Sequence, residues 1–128
     1  MPYQISVPFH GSTLILIDHN NEPFIPLKPI VEGMGINWSF QLTKLNQNPS
    51  HWAIAVLAVP AIDKHRPVPC IPLRRLFAWL LTLRTCWLSP TAQNNIFLYR
   101  NKCDSELWKY WSLTHQLSPA KHSINKMN

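Results

Sequence analysis

The chain has 128 residues, 46% of them apolar and only 14% charged, and its formal net charge is +6. Such a length and apolar share support one packed core and exclude both a disordered chain and a pair of separately buried domains. No apolar run reaches the roughly eighteen residues of a membrane span, and the start of the chain lacks the basic and apolar regions of a leader, so a cytoplasmic protein without membrane contact is expected.

The basic charge is unevenly placed. Residues 1–63 hold Lys28 and Lys44 against Asp18, Glu22, Glu32 and Asp63, whereas residues 64–128 hold ten basic residues against Asp104 and Glu106. A basic half of this kind suits nucleic acid or an acidic protein surface. The three cysteines, Cys70, Cys86 and Cys103, show no paired spacing, which points to reduced thiols serving as small buried groups within strand or helix. The histidines are scattered without ligand spacing, so no metal is expected.

Residues 3–9 alternate Ile5, Val7 and Phe9 against Gln4, Ser6 and Pro8, the period of a half-buried strand. Gly11 and Ser12 can turn the chain into a second strand over 13–17. A further turn over His19, Asn20, Asn21 and Glu22 leads to a third strand over 23–27, whose prolines favour an edge position. The result is a small antiparallel meander. Pro29 then opens a short helix over 30–34, with Gly35 suited to its C-terminal cap. Asn37 can cap a second helix over 38–45 that stops before Pro49.

This pair has the outline of a helix-turn-helix. On its second helix Trp38, Leu42 and Leu45 are expected to face inward. Ser39, Gln41, Thr43, Lys44 and Gln47 are then left outward, where uncharged hydrogen-bonding groups and a lysine could read base edges. An apolar run over 52–59 reads as a strand, and 68–71 as its hairpin partner, confined to an edge by Pro67, Pro69 and Pro72.

The heaviest apolar unit follows over 72–111. Residues 73–83 are apolar almost all round apart from Arg74 and Arg75, and Ser89-Pro90 is a helix-start pair. Beyond it Ile96, Tyr99, Cys103, Leu107 and Trp111 recur at steps of three and four, which lays them on one helix face. Arg100, Lys102 and Lys109 lie mostly off that face. The spacing therefore predicts a helical hairpin that acts as the folding centre. After Trp111 the sequence turns polar and aperiodic, so the domain is expected to span 1–111, with a flexible tail over 112–128 carrying Lys121 and Lys126.

No sign of catalysis is present. Three glycines, Gly11, Gly33 and Gly35, cannot make a phosphate loop, no Gly-x-Ser-x-Gly elbow occurs, and six acidic residues leave little for paired-carboxylate chemistry. The chain is expected not to be an enzyme and to carry no cofactor.

Several blocks resemble a known family. Ile5-Ser-Val-Pro-Phe-His-Gly11, Asp18-His-Asn-Asn-Glu-Pro23 and Pro29-Ile-Val-Glu-Gly-Met-Gly-Ile-Asn-Trp38 are similar to the opening blocks of the phage antirepressor N-terminal domain. Cys70-Ile-Pro-Leu-Arg-Arg-Leu-Phe-Ala-Trp-Leu80 and Tyr99-Arg-Asn-Lys-Cys-Asp-Ser-Glu-Leu-Trp-Lys-Tyr-Trp111 resemble its closing blocks. The likeness covers 5–111 with the blocks in the family's order. That family is similar in layout to the amino-terminal domain of the baculoviral Bro proteins, a DNA-binding α+β module. Two departures stand out: Phe77-Ala78-Trp79 replaces the family's usual Pro-Gly-Trp, and the loop at Asp63 lacks a usual glycine. The resemblance also implies a second domain, whereas seventeen residues follow Trp111, as in a stand-alone domain or a truncated prophage remnant.

The expected fold is thus α+β, with small antiparallel hairpins, a helix-turn-helix-like pair and a C-terminal helical hairpin. The resemblance implies a phage or prophage regulator that relieves repression by binding a phage repressor protein. The alternative is a Bro-like DNA-binding module. Either partner would meet Ser39, Gln41, Lys44 and Gln47 together with Arg74, Arg75, Arg100, Lys102 and Lys109, the last five suited to phosphates. A homo-oligomer built on Trp87 and Trp111 is a third expectation.

Overall fold

Alternation in the first strands sets up the sheet. In the computed structural model, which describes residues 4–115, β1 (Gln4–Phe9), β2 (Ser12–His19) and β3 (Glu22–Pro26) form an antiparallel meander. Both connections are two-residue turns with positive φ throughout: His10 (45°) and Gly11 (84°), then Asn20 (55°) and Asn21 (64°). This is the hairpin geometry whose twist matches that of the strands, and the Asp18 carboxylate secures the second turn by accepting from the Asn21 amide.

Two further strands, β4 (Ala55–Leu57) and β5 (Val68–Pro72), complete a five-stranded antiparallel sheet in the order β1-β2-β3-β5-β4. The prolines do not hold β3 and β5 at an edge; both strands are interior. The register explains how. β2 pairs with Glu22, Pro23 and Phe24, while β5 pairs with Phe24, Ile25 and Pro26. Likewise β3 pairs with residues 70–72 of β5, and β4 with residues 68–70. Within β3 and β5, only Phe24 and Cys70 have neighbours on both flanks. Each proline has one open flank, toward which its donorless nitrogen can turn without breaking a ladder.

The sheet buries two faces unequally. Ile5, Val7, Phe9, Leu14, Leu16, Ile25 and Ile71 join the main core beneath the helices, where each fully buried aliphatic side chain contributes on the order of 2 kcal/mol. The opposite face holds a smaller cluster, Ile17, Phe24, Val68 and Cys70, covered by Val59 from the loop between β4 and β5.

The helices are α1 (Leu27–Met34), α2 (Trp38–Gln47), α3 (Pro49–Trp52), α4 (Leu73–Leu81), α5 (Pro90–Leu98) and α6 (Asp104–His115). Helix α1 begins two residues before Pro29. The apolar run over 52–59 yields only a three-residue strand, because Pro49 starts α3 and Ala53 stops it in the left-handed region at φ 53°. Asn37 and Ser89 cap α2 and α5 as their sequence positions predict, accepting from the amides of Phe40 and Ala92. A π turn over Tyr99–Cys103 joins α5 to α6 without a break. The wider turn re-phases the helix, so that Ile96, Tyr99, Cys103, Leu107 and Trp111 are all buried despite their repeated four-residue steps.

Helix α6 continues past Trp111 to His115, whose ring stacks on Trp111, so the helix outlasts the boundary the composition places at 111. Residues 116–128, with Lys121 and Lys126, lie outside the described residues, as does Tyr3.

Gly33 on α1 meets the buried ring of Tyr99. A β-carbon built at Gly33 would collide with Tyr99 Oη, so the absence of a side chain sets how closely α1 approaches the π turn.

Candidate functional site

Helix α2 and the connection between α4 and α5 form the two walls of an open groove of about 560 Å³, with Gly35 and Ile36 at one end. One wall presents Phe40, Gln41 and Lys44; the other presents Arg84, Trp87 and Leu88. Phe40 is 61% exposed and Trp87 69%, large apolar areas to leave in water. Each ring has a cation beside it. The Lys44 ammonium lies 5.5 Å from the centre of the Phe40 ring, and the Arg84 guanidinium 5.9 Å from that of Trp87. No acidic residue lines the groove.

The walls are held by α5 and its continuation. Gln93 Nε2 donates to the carbonyls of Thr85 (2.8 Å) and Leu88 (3.0 Å), clamping the turn that carries Trp87. Arg100 donates through Nε to the Leu80 carbonyl (3.0 Å) and through a terminal nitrogen to that of Leu83 (2.7 Å). These bonds tie down the chain where α4 ends, supplementing the Leu83 amide at the Leu80 carbonyl. On the other wall Asn95 Nδ2 reaches the Met34 carbonyl at the turn between α1 and α2. One helix thus braces both sides of the groove.

The residues expected to contact a partner differ in exposure and in what already engages them. Ser39, Lys44 and Gln47 are exposed on α2, but Gln41 is only 8% exposed and faces inward with Leu45, while Leu42 is half-buried. The choice of Leu42 over Gln41 for the inner face is therefore corrected, because positions 38, 41 and 45 share the side that meets the rest of the fold. Arg74 forms an ion pair with Glu22. Arg75 is half-buried, with its Nε enclosed and unpartnered among the described residues. Arg100, expected at phosphates, spends its guanidinium on the Leu80 and Leu83 carbonyls. Lys102 and Lys109 are exposed, the latter 5.9 Å from the Tyr110 ring centre.

Of the tryptophans offered for self-association, Trp111 is buried and only Trp87 is exposed. Sequence reasoning missed Phe40 and Arg84 as surface contacts. A signal existed for the first, since Phe40 and Lys44 stand four apart, the spacing that stacks a cation against a ring on one helix face.

The thiols separate by environment. Burial pushes Cys70 and Cys103 up to about 12 in pKa, whereas Cys86, expected inside an element, is exposed in the turn beside Trp87. Among the described residues, no group of three or more His, Cys, Asp and Glu side chains is placed to hold a metal ion, and no helix is long and apolar enough to cross a membrane.

No curated protein and no solved structure matches the chain. The family model described as the P22_AR N-terminal domain matches residues 5–117, a range that takes in the sheet except Gln4, helices α1 to α6 and both walls of the groove. By that match the chain belongs to the P22_AR N-terminal domain family, the N-terminal domain of phage antirepressors.

Proposed function

We propose that this antirepressor-type domain acts without catalysis, by binding a phage repressor protein in the cytoplasm of the bacterial host. Binding would cover the repressor's DNA surface or block its assembly. The observation that carries the reading is the braced groove with Phe40 and Trp87 at its walls. Exposed rings on a fixed surface gain most by being covered by another protein, and aromatic and arginine side chains concentrate in such contacts.

Binding to DNA through α2 has less support, since Gln41 faces inward and Arg100 is engaged with carbonyls. The test is capture of repressors from cells carrying the parent phage, using the tagged chain, with nuclease treatment and a high-salt wash. A repressor retained through both steps is the expected result. Recovery of DNA alone, lost at high salt, would replace this reading with nucleic-acid binding, whose affinity falls steeply with salt.

A further inference from the structure

We propose that the groove between α2 and the α4–α5 connection is the docking site for an acidic, apolar-anchored segment of a partner protein: a short stretch with one or two carboxylates beside a side chain the size of leucine or phenylalanine. The inference rests on the protein-contact reading above and gives that contact its place and its chemistry.

The groove's charge selects the occupant. Lys44 and Arg84 stand on opposite walls and no acidic side chain offsets them. A carboxylate entering between them meets positive charge on both sides, and complementarity of this kind governs on-rate and the exclusion of wrong partners. Phe40 and Trp87 select the rest of the occupant, because an apolar side chain laid between the rings removes their exposed faces from water. A volume of about 560 Å³ suits a few side chains rather than a folded domain. The bracing by Gln93, Arg100 and Asn95 means that little order has to be created on binding.

Other occupants fit less well. Residues 116–128 of this chain carry Lys121 and Lys126 and no acid, the wrong charge for the site. In a second copy, Asp18 and Glu22 are engaged with His115 and Arg74, and Asp63 accepts from the amides of its own loop, which leaves Glu32, Asp104 and Glu106 as the acids that sedimentation tests. A nucleic-acid backbone needs a longer row of cations than the two found here.

The test is selection of random dodecapeptides displayed against the immobilised chain, followed by anisotropy measurements on labelled winners. Enrichment of Asp or Glu next to Leu, Phe or Trp is expected. Lys44→Glu combined with Arg84→Glu should weaken binding by about tenfold or more at low salt. Peptides with lysine in place of the acid should then prefer the charge-reversed protein, a swap that a misfolded variant could not produce. Phe40→Ala with Trp87→Ala should also abolish binding, with an unchanged circular dichroism spectrum.

Selected peptides without acids, or with affinity indifferent to the charge reversal, would overturn the proposal. So would a single-stranded oligonucleotide that binds the groove more tightly than any peptide, or a dimer in sedimentation that Trp87→Ala dissolves. The charge-reversed protein also separates the two readings. If it still captures the repressor, the groove is excluded while repressor binding stands. If the peptides behave as expected and no repressor is captured, the groove stands and the repressor reading falls.

Discussion

At the scale of single residues, Gly33 carries the sharpest prediction. In an exposed helix interior, glycine to alanine is favourable by up to about 1 kcal/mol. Here the added methyl meets Tyr99 Oη, and the ring cannot swing away because it is buried with Phe9 at a centroid distance of 4.8 Å. Gly33→Ala should therefore destabilise, by about 1–3 kcal/mol, as overpacking does. Tyr99→Phe removes the colliding oxygen and should restore most of the loss, giving positive coupling in a double-mutant cycle read by urea unfolding. A Gly33→Ala protein more stable than the parent would show that α1 stands further from the π turn.

Arg100 offers a second case. Arg100→Ala leaves the Leu83 carbonyl without its side-chain partner and the Leu80 carbonyl with the Leu83 amide alone, and should cost about 1–3 kcal/mol, with the loss visible in a thermal melt. A surface phosphate contact would cost almost nothing on the same scale. The residue type was legible in the sequence but its task was not. A guanidinium can reach a carbonyl twenty positions back only after the hairpin has closed, and no local pattern encodes that.

Elements show where sequence logic is strong. Caps and periodic faces are local, and Asn37, Ser89 and the series Ile96 to Trp111 all read correctly from spacing. Replacing Asn37 or Ser89 with alanine should cost about 1 kcal/mol each, measured as a shift in the denaturant midpoint at constant slope. Gln93→Ala is expected to behave differently. It leaves the Thr85 carbonyl with the Leu88 amide and opens the Leu88 carbonyl at a part-exposed turn, so stability should change by no more than about 1 kcal/mol. The turn would then loosen, and amide exchange at Cys86 and Trp87 should rise; unchanged exchange would mean that the clamp is not what orders that wall.

What the sequence hid at this scale depends on three dimensions. Prolines read as edge markers in β3 and β5, yet the stagger of the sheet leaves interior strands half-unpaired, and stagger is a property of the pairing rather than of any segment. Gln41 read as a surface residue because α2 is amphipathic only weakly, with polar groups on every side. The groove itself was invisible, since its walls come from segments about forty residues apart and its second cation lies in a helical break.

For the whole molecule, the two buried thiols give a pH dependence with a definite sign. Each has its folded-state pKa raised from 9.0 to about 12 by burial, so the unfolded chain gives up these protons first. Stability from keeping them protonated is full below about pH 9 and is lost as pH climbs from there toward 12. Tyr99, raised chiefly by burial, acts in the same direction. Unfolding midpoints should fall across that window, and Cys70→Ala with Cys103→Ala should flatten the slope. Ellman titration of the native chain should find Cys86 reactive and the other two protected until denaturant is added.

The staggered sheet also decides which residues its interior strands can tolerate. Pro23, Pro26 and Pro72 are buried, and each stands where its strand lacks a neighbour on one side. An amide at any of these places would be a donor shut away from water with no rung to fill. Proline removes that donor at its source. Substituting valine at Pro72 should therefore destabilise the fold by about 1–3 kcal/mol in urea unfolding, and an unchanged midpoint would show that a partner reaches this flank.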